Sequence, residues 1–248
     1  MALTINYNNL MLEFQSKEMY LLSSNSAVWD IYRVVQFDKA YVIRIPKRRT
    51  ESTVEVFEKN YLKLIELKIP TVKIFARIKV DEFDAILTED INYDSEIIYV
   101  TYNSINSETQ RKVELLSAFF FQNKKSEKTS DYEEYRFSNK IVDILNFQGF
   151  LEEIITMLKY VSGEKYVIEF DSYFIGTQKN TSKSKLDYKI IDLDHIFHRP
   201  DDTYDKILIN NIYEFYRALS GFIDYFIAPI NRNIYLNQLK NWKDTYEP

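Results

Sequence analysis

Residues 189–195 read Lys-Ile-Ile-Asp-Leu-Asp-His, an apolar run that ends in two acids and a histidine. The run is typical of a β-strand, and side chains two positions apart on a strand share a face, so Asp192 and Asp194 are expected to point the same way. Paired carboxylates at a strand end suit a divalent cation that prefers oxygen ligands. A solvated turn after the strand is the alternative interpretation of the same residues.

A second apolar run also ends in an acid, because residues 166–171 read Tyr-Val-Ile-Glu-Phe-Asp. The pattern predicts a β-hairpin with strands over residues 165–175 and 187–193 and a long polar tip between them. Pairing of these strands is expected to bring Asp171 close to Asp192. Carboxylates held near each other favour a cation between them, since the like charges are otherwise costly.

The first half of the chain is rich in aromatic and β-branched residues, which favour strands. Strands are predicted over residues 19–22, 29–35, 40–45, 72–79 and 83–87. One helix is predicted between the third and fourth of these strands, over residues 50–67, because its apolar residues recur at helical spacing and Pro70 ends it.

The second half is mainly helical by the same criterion. Helices are predicted over residues 108–122, 135–160, 207–226 and 230–242, with an exposed charged loop over residues 123–134. Strands grouped before helices indicate an α+β fold. The polar stretch 88–95 is the predicted boundary between a sheet lobe, residues 1–90, and a helical lobe, residues 91–248.

Composition excludes several classes of site. The 248 residues include no cysteine, so disulfides, thiolate nucleophiles and cysteine-bound zinc are excluded. The four glycines all lie after residue 148, which excludes a Gly-rich phosphate loop in the first half. A net charge of −5 argues against nucleic acid and against an anionic membrane as partners. With no export signal or membrane-spanning stretch, the sequence predicts a cytoplasmic protein.

The order of these features resembles the protein kinase-like fold, and in particular the small-molecule phosphotransferases related to aminoglycoside and choline kinases. In that family a strand, a loop and a strand cover the nucleotide, and residues 21–34 match this element, with Ser23, Ser24 and Ser26 in the loop. Residues 85–90, Ala-Ile-Leu-Thr-Glu-Asp, match the strand that leads to the adenine-binding hinge and place Glu89 there.

The resemblance also implies the groups that handle the phosphates. In Tyr41-Val-Ile-Arg-Ile-Pro46 the residue that matches the family's phosphate-binding cation is Arg44. Glu58 matches the helix glutamate that orients this cation. Asp192 matches the magnesium aspartate, with Asp194 beside it. The resemblance thus implies ATP and Mg²⁺ as cofactors and a small-molecule hydroxyl as the phosphoryl acceptor.

The catalytic loop departs from the family pattern, which reads His, any residue, Asp, with an Asn five positions after the Asp. Here Glu169-Phe-Asp171 and Gly176 stand at those positions. In this register Asp171 orients or deprotonates the acceptor hydroxyl and Glu169 replaces the histidine. In another register Asp171 takes the metal-binding Asn position and no catalytic base remains.

Three further interpretations stay open. The missing histidine, asparagine and glycines favour a catalytically inactive pseudokinase that acts as a binding or regulatory module, with a protein partner. His195 and His198, with Asp192 and Asp194, also offer the imidazole and carboxylate mixture that suits Zn²⁺ or Mn²⁺. An unrelated α+β interaction protein is the remaining alternative.

Overall fold

The computed structural model describes residues 2–7, 10–15, 19–23, 28–36, 39–47, 51–80, 83–93, 95–101, 141–178 and 181–246. The predicted helix 108–122 and the predicted loop 123–134 lie outside the described residues. The fold is α+β, as predicted, with an antiparallel sheet and one helix preceding a mainly helical part. The division at residue 90 stays a prediction.

A five-stranded antiparallel sheet dominates the first part of the chain. Its strands are β3 (Met19–Ser23), β4 (Trp29–Gln36), β5 (Lys39–Pro46), β6 (Ile74–Val80) and β7 (Phe83–Glu89), in the order β3-β4-β5-β7-β6. The five predicted strands are therefore confirmed. Two earlier strands, β1 (Ala2–Tyr7) and β2 (Leu10–Gln15), form a separate antiparallel pair.

The register of the sheet decides which side chains share a face. Arg44 on β5 lies opposite Ile31 of β4 and Ile86 of β7, while Arg33 of β4 lies opposite Val42 of β5. Directly paired residues point to the same face, and so do residues two apart on one strand. Arg33 and Arg44 therefore lie on one face, which we call the cleft face.

The helix α1 (Glu51–Glu66) packs on part of this cleft face. Its residues Val54 and Phe57 are fully buried, and the Phe57 ring meets the Trp29 ring edge-on with centroids 5.5 Å apart. The observed helix agrees closely with the predicted one because its apolar stripe matches the 3.6-residue period. The opposite face of the sheet buries a second cluster that includes Val34, Ile43, Ile78 and Leu87.

The described helices of the second part are α2 (Phe147–Gly163), α3 (Tyr204–Phe226) and α4 (Pro229–Asp244). Of the helix predicted over residues 135–160, residues 135–140 lie outside the described residues, and the prediction is wrong over residues 141–146. Residues 143–144 instead form β9 (Asp143–Ile144), which pairs in parallel with β12 (Lys183–Ser184). The Asn146 side chain fixes this pairing, since it both donates to and accepts from the backbone of Leu186.

The predicted hairpin is present between β11 (Tyr173–Gln178) and β13 (Asp187–Ile190), with β8 (Ile97–Val100) on the other side of β11. The prediction of one strand over residues 165–175 is wrong. A 3₁₀ turn, Phe170–Ser172, separates β11 from β10 (Tyr166–Ile168), and β10 pairs with β14 (Ile196–His198).

The strand predicted over residues 187–193 also ends early, at Ile190, and a 3₁₀ turn, Leu193–His195, follows it. The chain changes strand partner at each turn, from β14 to β13 at the first and from β11 to β10 at the second. The segments that carry Asp171, Asp192 and Asp194 are therefore in or next to turns that connect one strand pair to another, and they are not part of the sheets. A single apolar core runs beneath them and joins Trp29, Phe57 and Ile86 to Phe150 and Phe215.

Candidate active site

The two 3₁₀ turns lie side by side and carry the predicted acids. Backbone bonds join them, from Ile191 N to Ser172 O at 3.0 Å and from Glu169 N to His195 O at 3.1 Å. The buried Ser172 hydroxyl adds a bond to the carbonyl oxygen of Asp192 at 2.8 Å. These bonds fix Asp171 of the first turn beside the second turn, which carries Asp192 and Asp194. The turns that carry Asp171 and Asp192 are therefore adjacent, although the two carboxylates belong to different candidate metal-binding groups.

Helix α1 holds the second turn in place through Asn60. Its buried amide Nδ2 donates to the carbonyl oxygens of Leu193, at 2.6 Å, and Ile196, at 3.0 Å. These oxygens flank Asp194 and His195, so the amide sets the orientation of the turn relative to α1. Sequence reasoning missed Asn60, although an amide among the buried positions of an amphipathic helix is a detectable signal.

Arg44 reaches across the cleft to the second turn. Its Nη1 lies 3.4 Å from Oδ1 of Asp192, and its guanidinium lies 5.3 Å from the centroid of the Phe57 ring. The Arg44 side chain is buried, and its Nε has no hydrogen-bond partner. A buried cation with an unused donor is able to bind an anionic ligand, since an unmade hydrogen bond is costly.

Glu58 does not make the predicted contact with Arg44. Its carboxylate pairs with Arg77 of β6 at 3.5 Å, and Arg77 also pairs with Asp84 at 2.6 Å. The physical reason is the helical phase of α1. Phe57 and Asn60 occupy the face toward Arg44 and the acid turn, which directs Glu58 toward the β6 edge of the sheet.

The two acids of the second turn differ in their environment. Burial, with the nearby charge of Asp194, raises the pKa of Asp192 to about 7, although Arg44 and His195 act in the opposite direction. Asp194 has a buried oxygen, Oδ1, without a hydrogen-bond partner. Burying a carboxylate oxygen that accepts no hydrogen bond costs free energy. The same oxygen is available to bind a divalent cation.

His195 joins the two turns electrostatically. Its Nδ1 lies 3.0 Å from Oδ2 of Asp171 and 3.2 Å from Oε2 of Glu169. Hydrogen bonding to Asp171, and then to Glu169, raises the pKa of His195 to about 11. The imidazole is therefore protonated at neutral pH. In the family pattern a histidine precedes the aspartate in the chain, whereas here the histidine beside Asp171 comes from the second turn.

The contacts of His195 indicate which groups are left for a cation. Ligand atoms of Asp192, Asp194 and His195 lie within 4.8 Å of one another, as do those of Glu169, Asp171 and His195. Nδ1 of His195 is already engaged by Asp171 and Glu169, so we assign the carboxylates of Asp192 and Asp194 as the ligands. The unpartnered Oδ1 of Asp194 fits this role, and an all-oxygen donor set suits Mg²⁺ better than Zn²⁺.

The alternative metal site that uses both histidines is not assembled. His198 lies at the end of β14, where its ring centroid is 4.9 Å from that of Tyr166. It belongs to neither of the candidate metal-binding groups found among the described residues. The strand β14 carries it away from the turn because it pairs with β10.

The structure describes only some of the residues predicted at the hinge and in the loop that covers the nucleotide. Glu89 ends β7, and its Oε1 accepts from Nζ of Lys189 at 3.1 Å and from the backbone N of Lys73 at 2.9 Å. Its carboxylate thus connects the end of β7 to β13. Ser23 ends β3, whereas Ser24 and Ser26 lie outside the described residues.

No protein-family model matches the chain, and no curated protein matches its sequence. Solved structures do resemble it. WaaP in complex with acyl carrier protein is 11% identical, with 95% of this chain and 90% of that chain covered and a TM-score of 0.43. The Helicobacter pylori proinflammatory kinase CtkA is 9% identical, with 93% and 91% covered and a TM-score of 0.46.

At these low TM-scores the likeness adds nothing to the case for function. The chain's own element order carries the assignment of the fold. A five-stranded antiparallel sheet with one helix precedes the helices, and a hairpin brings paired acids beneath the cation of β5. This is the α+β arrangement that the sequence predicted, with the sheet and its helix before the helical part.

Proposed function

We propose that the chain transfers the terminal phosphoryl group of a magnesium-bound nucleoside triphosphate to a hydroxyl group of a small molecule. ATP is the donor that the resemblance implies. One observation carries the proposal. The buried cation Arg44, on the sheet, lies against a turn that carries Asp192 and Asp194, next to a third carboxylate, Asp171, that is paired with an imidazolium.

The phosphate end of the site is assigned to Arg44, Asp192 and Asp194. The guanidinium of Arg44 binds phosphate oxygens through donors that include its unpartnered Nε. Asp192 and Asp194 would hold Mg²⁺, which would supply positive charge to neutralise that of the phosphate oxygens. Arg44 and Asp192 form a direct ion pair, and nucleotide binding would replace this contact.

The acceptor end is assigned to Asp171. The acceptor oxygen forms a bond to the terminal phosphorus as the bond to the nucleoside diphosphate oxygen breaks, and Asp171 orients the hydroxyl and receives its proton. His195 is a positioning residue that fixes the carboxylate of Asp171 by its charged hydrogen bond. Glu169 supports His195 from the other side.

A binding and transfer experiment tests the proposal. Thermal shift with Mg²⁺ and ATP or GTP reports binding, and transfer of labelled phosphate to a panel of hydroxylated small molecules reports activity. Asp171→Asn is expected to abolish transfer but to keep nucleotide binding, while Asp192→Asn loses both. Asp224→Asn, an exposed carboxylate on α3, is the matched control and keeps both. Full transfer by the Asp171 variant contradicts its role.

A pseudokinase is the second candidate function, and a specific observation favours it. Arg44 is paired directly with Asp192, while Glu58, which the resemblance assigns to Arg44, is paired with Arg77. An ion pair between these two residues is compatible with a protein that does not bind nucleotide and acts as a binding module for a partner protein. Absence of any thermal shift with millimolar ATP or GTP and Mg²⁺ supports this second candidate.

A further inference from the structure

The backbone of Asp171 is held by a side chain from outside the two 3₁₀ turns. The hydroxyl of Thr101, the residue that follows β8, donates to the carbonyl oxygen of Asp171 at 3.0 Å. Because Thr101 is only 7% exposed, its hydroxyl has little access to water, and the bond to Asp171 satisfies it. The bond joins residues 70 positions apart, so it is a feature of the tertiary structure and not of the local turn.

This bond fixes the peptide group that follows Asp171. Within the first turn, the backbone N of Ser172 donates to the carbonyl oxygen of Glu169 at 3.1 Å. The same peptide group presents the carbonyl oxygen of Asp171 to Thr101. The hydrogen bonds of a 3₁₀ turn have poorer geometry than those of an α-helix, so a bond from outside the turn adds to its order. Since both polar atoms of the peptide group are bonded, its plane is fixed, and the direction of the Asp171 side chain is fixed with it.

The direction of this side chain decides the contact with the second turn. Oδ2 of Asp171 lies 3.0 Å from Nδ1 of His195. Hydrogen bonds weaken steeply as their angle departs from linearity, so a small rotation of the Asp171 backbone weakens this contact. In the proposed reaction the same carboxylate orients the acceptor hydroxyl, where a displacement of about 1 Å costs about a hundredfold in rate.

A second side chain holds the start of the first turn. Oε2 of Glu214 on α3 accepts from the backbone N of Phe170 at 3.1 Å, and Arg217 pairs with Glu214 at 3.0 Å. The guanidinium of Arg217 lies 3.8 Å from the centroid of the Phe170 ring. These contacts tie the turn to α3 through Phe170, whereas Thr101 bonds to Asp171 itself.

We propose, building on the phosphotransferase function above, that Thr101 is a positioning residue whose hydroxyl aims the carboxylate of Asp171 at His195 and at the acceptor hydroxyl. Thr101 acts through the backbone of Asp171 and contacts neither the nucleotide nor the metal in this assignment. Loss of its hydroxyl therefore slows transfer without weakening nucleotide binding, because the contact between Arg44 and Asp192 does not involve it.

The test compares Thr101→Val, which removes the hydroxyl and keeps the shape, with Thr101→Ser, which keeps the hydroxyl. NMR of the full chain labelled with ¹⁵N-histidine reports the contact with Asp171 through the ring nitrogen shifts of His195. The chain has two histidines, and His198→Gln assigns their signals. The His195 shifts are expected to stay native in Thr101→Ser and to move toward those of a histidine in water in Thr101→Val.

Thr177→Val is the matched control and keeps the native His195 shifts. Thr177 is 6% exposed, and its hydroxyl donates to Oγ of Ser184 at 2.7 Å, so the substitution removes an equally buried hydroxyl that does not bond to either turn.

Transfer kinetics give the second readout. In Thr101→Val, kcat for transfer from ATP with Mg²⁺ is expected to fall about tenfold to a hundredfold. The dissociation constant of ATP with Mg²⁺, measured by isothermal titration, is expected to stay unchanged. Thr101→Ser restores most of the native kcat, because the donor to the carbonyl oxygen of Asp171 is present again.

Each other outcome overturns a defined part of the proposal. If the His195 shifts stay native in Thr101→Val, or change equally in Thr101→Ser, the hydroxyl does not aim Asp171 and the proposal is wrong. If the shifts change but kcat does not, the contact has no role in transfer. If the native chain transfers no phosphate, the proposed function fails, while the NMR comparison still decides whether Thr101 positions Asp171. Thr101→Ala, which also lacks the hydroxyl, makes the same comparison if the valine variant does not fold.

Discussion

Nδ1 of His195 lies 3.0 Å from Oδ2 of Asp171, although the two residues stand on different 3₁₀ turns and are 24 positions apart in the chain. The contact joins the candidate acceptor-binding carboxylate to the turn that carries the candidate metal ligands. Its charge state therefore affects both the stability of the fold and the geometry of the site.

His195→Gln is expected to reduce stability in a pH-dependent way. The pKa of His195 rises from 6.5 to about 11 on folding, so the imidazolium stabilises the fold fully below pH 6.5 and loses this effect as pH rises toward 11. The difference in unfolding free energy between native chain and variant should therefore shrink between pH 7 and pH 9, as measured by urea denaturation. His198→Gln is the exposed control, and a constant difference across this range contradicts the assignment.

Asp192→Asn is expected to stabilise the protein at pH 8. The pKa of Asp192 rises from 3.8 to about 7 on folding, so its ionised form destabilises the fold above pH 7, and this penalty disappears as pH falls to 3.8. Melting temperatures at pH 8 and pH 4.5 test the sign, with Asp224→Asn as the control.

Asp192→Asn should also lose any Mg²⁺-dependent thermal shift, and a retained shift removes Asp192 from the metal site.

Asn60→Asp is expected to destabilise the chain by about 1–3 kcal/mol, because a carboxylate cannot donate to the carbonyl oxygens of Leu193 and Ile196. Urea denaturation at pH 7 measures the loss. Asn210→Asp, at an exposed position of α3, is the matched control and should change little. Equal stability of the two variants would show that Asn60 does not hold the turn.

Gly176→Ala and Gly149→Ala are expected to have opposite effects. A Cβ at Gly176 meets the side-chain atoms Cε1 of Tyr99 at 2.7 Å and Cγ2 of Ile97 at 3.0 Å, so these side chains must shift, at a cost of about 1–3 kcal/mol. A Cβ at Gly149 meets nothing within 4 Å, and alanine within α2 stabilises by about 0.5–1 kcal/mol. Thermal melting of both variants compares the signs, and a neutral Gly176→Ala contradicts the close packing.

The local sequence pattern was sufficient to predict the elements that bury one continuous face. The five strands of the first sheet and the helix α1 follow the sequence because alternation and helical spacing are local properties. The same reasoning failed at residues 141–146 and at Phe170–Ser172. There the chain exchanges strand partners, and the bonds that decide its path come from residues distant in sequence.

The sequence by itself determined the α+β class, the strands and helix of the first sheet, and the hairpin that follows Asp171 and precedes Asp192. Only the tertiary structure decided the partners of these two acids. His195 pairs with Asp171, and Arg44 pairs with Asp192 in place of Glu58. The physical reason is that a residue's face follows from local periodicity, whereas the charge or donor opposite it depends on how separate elements pack.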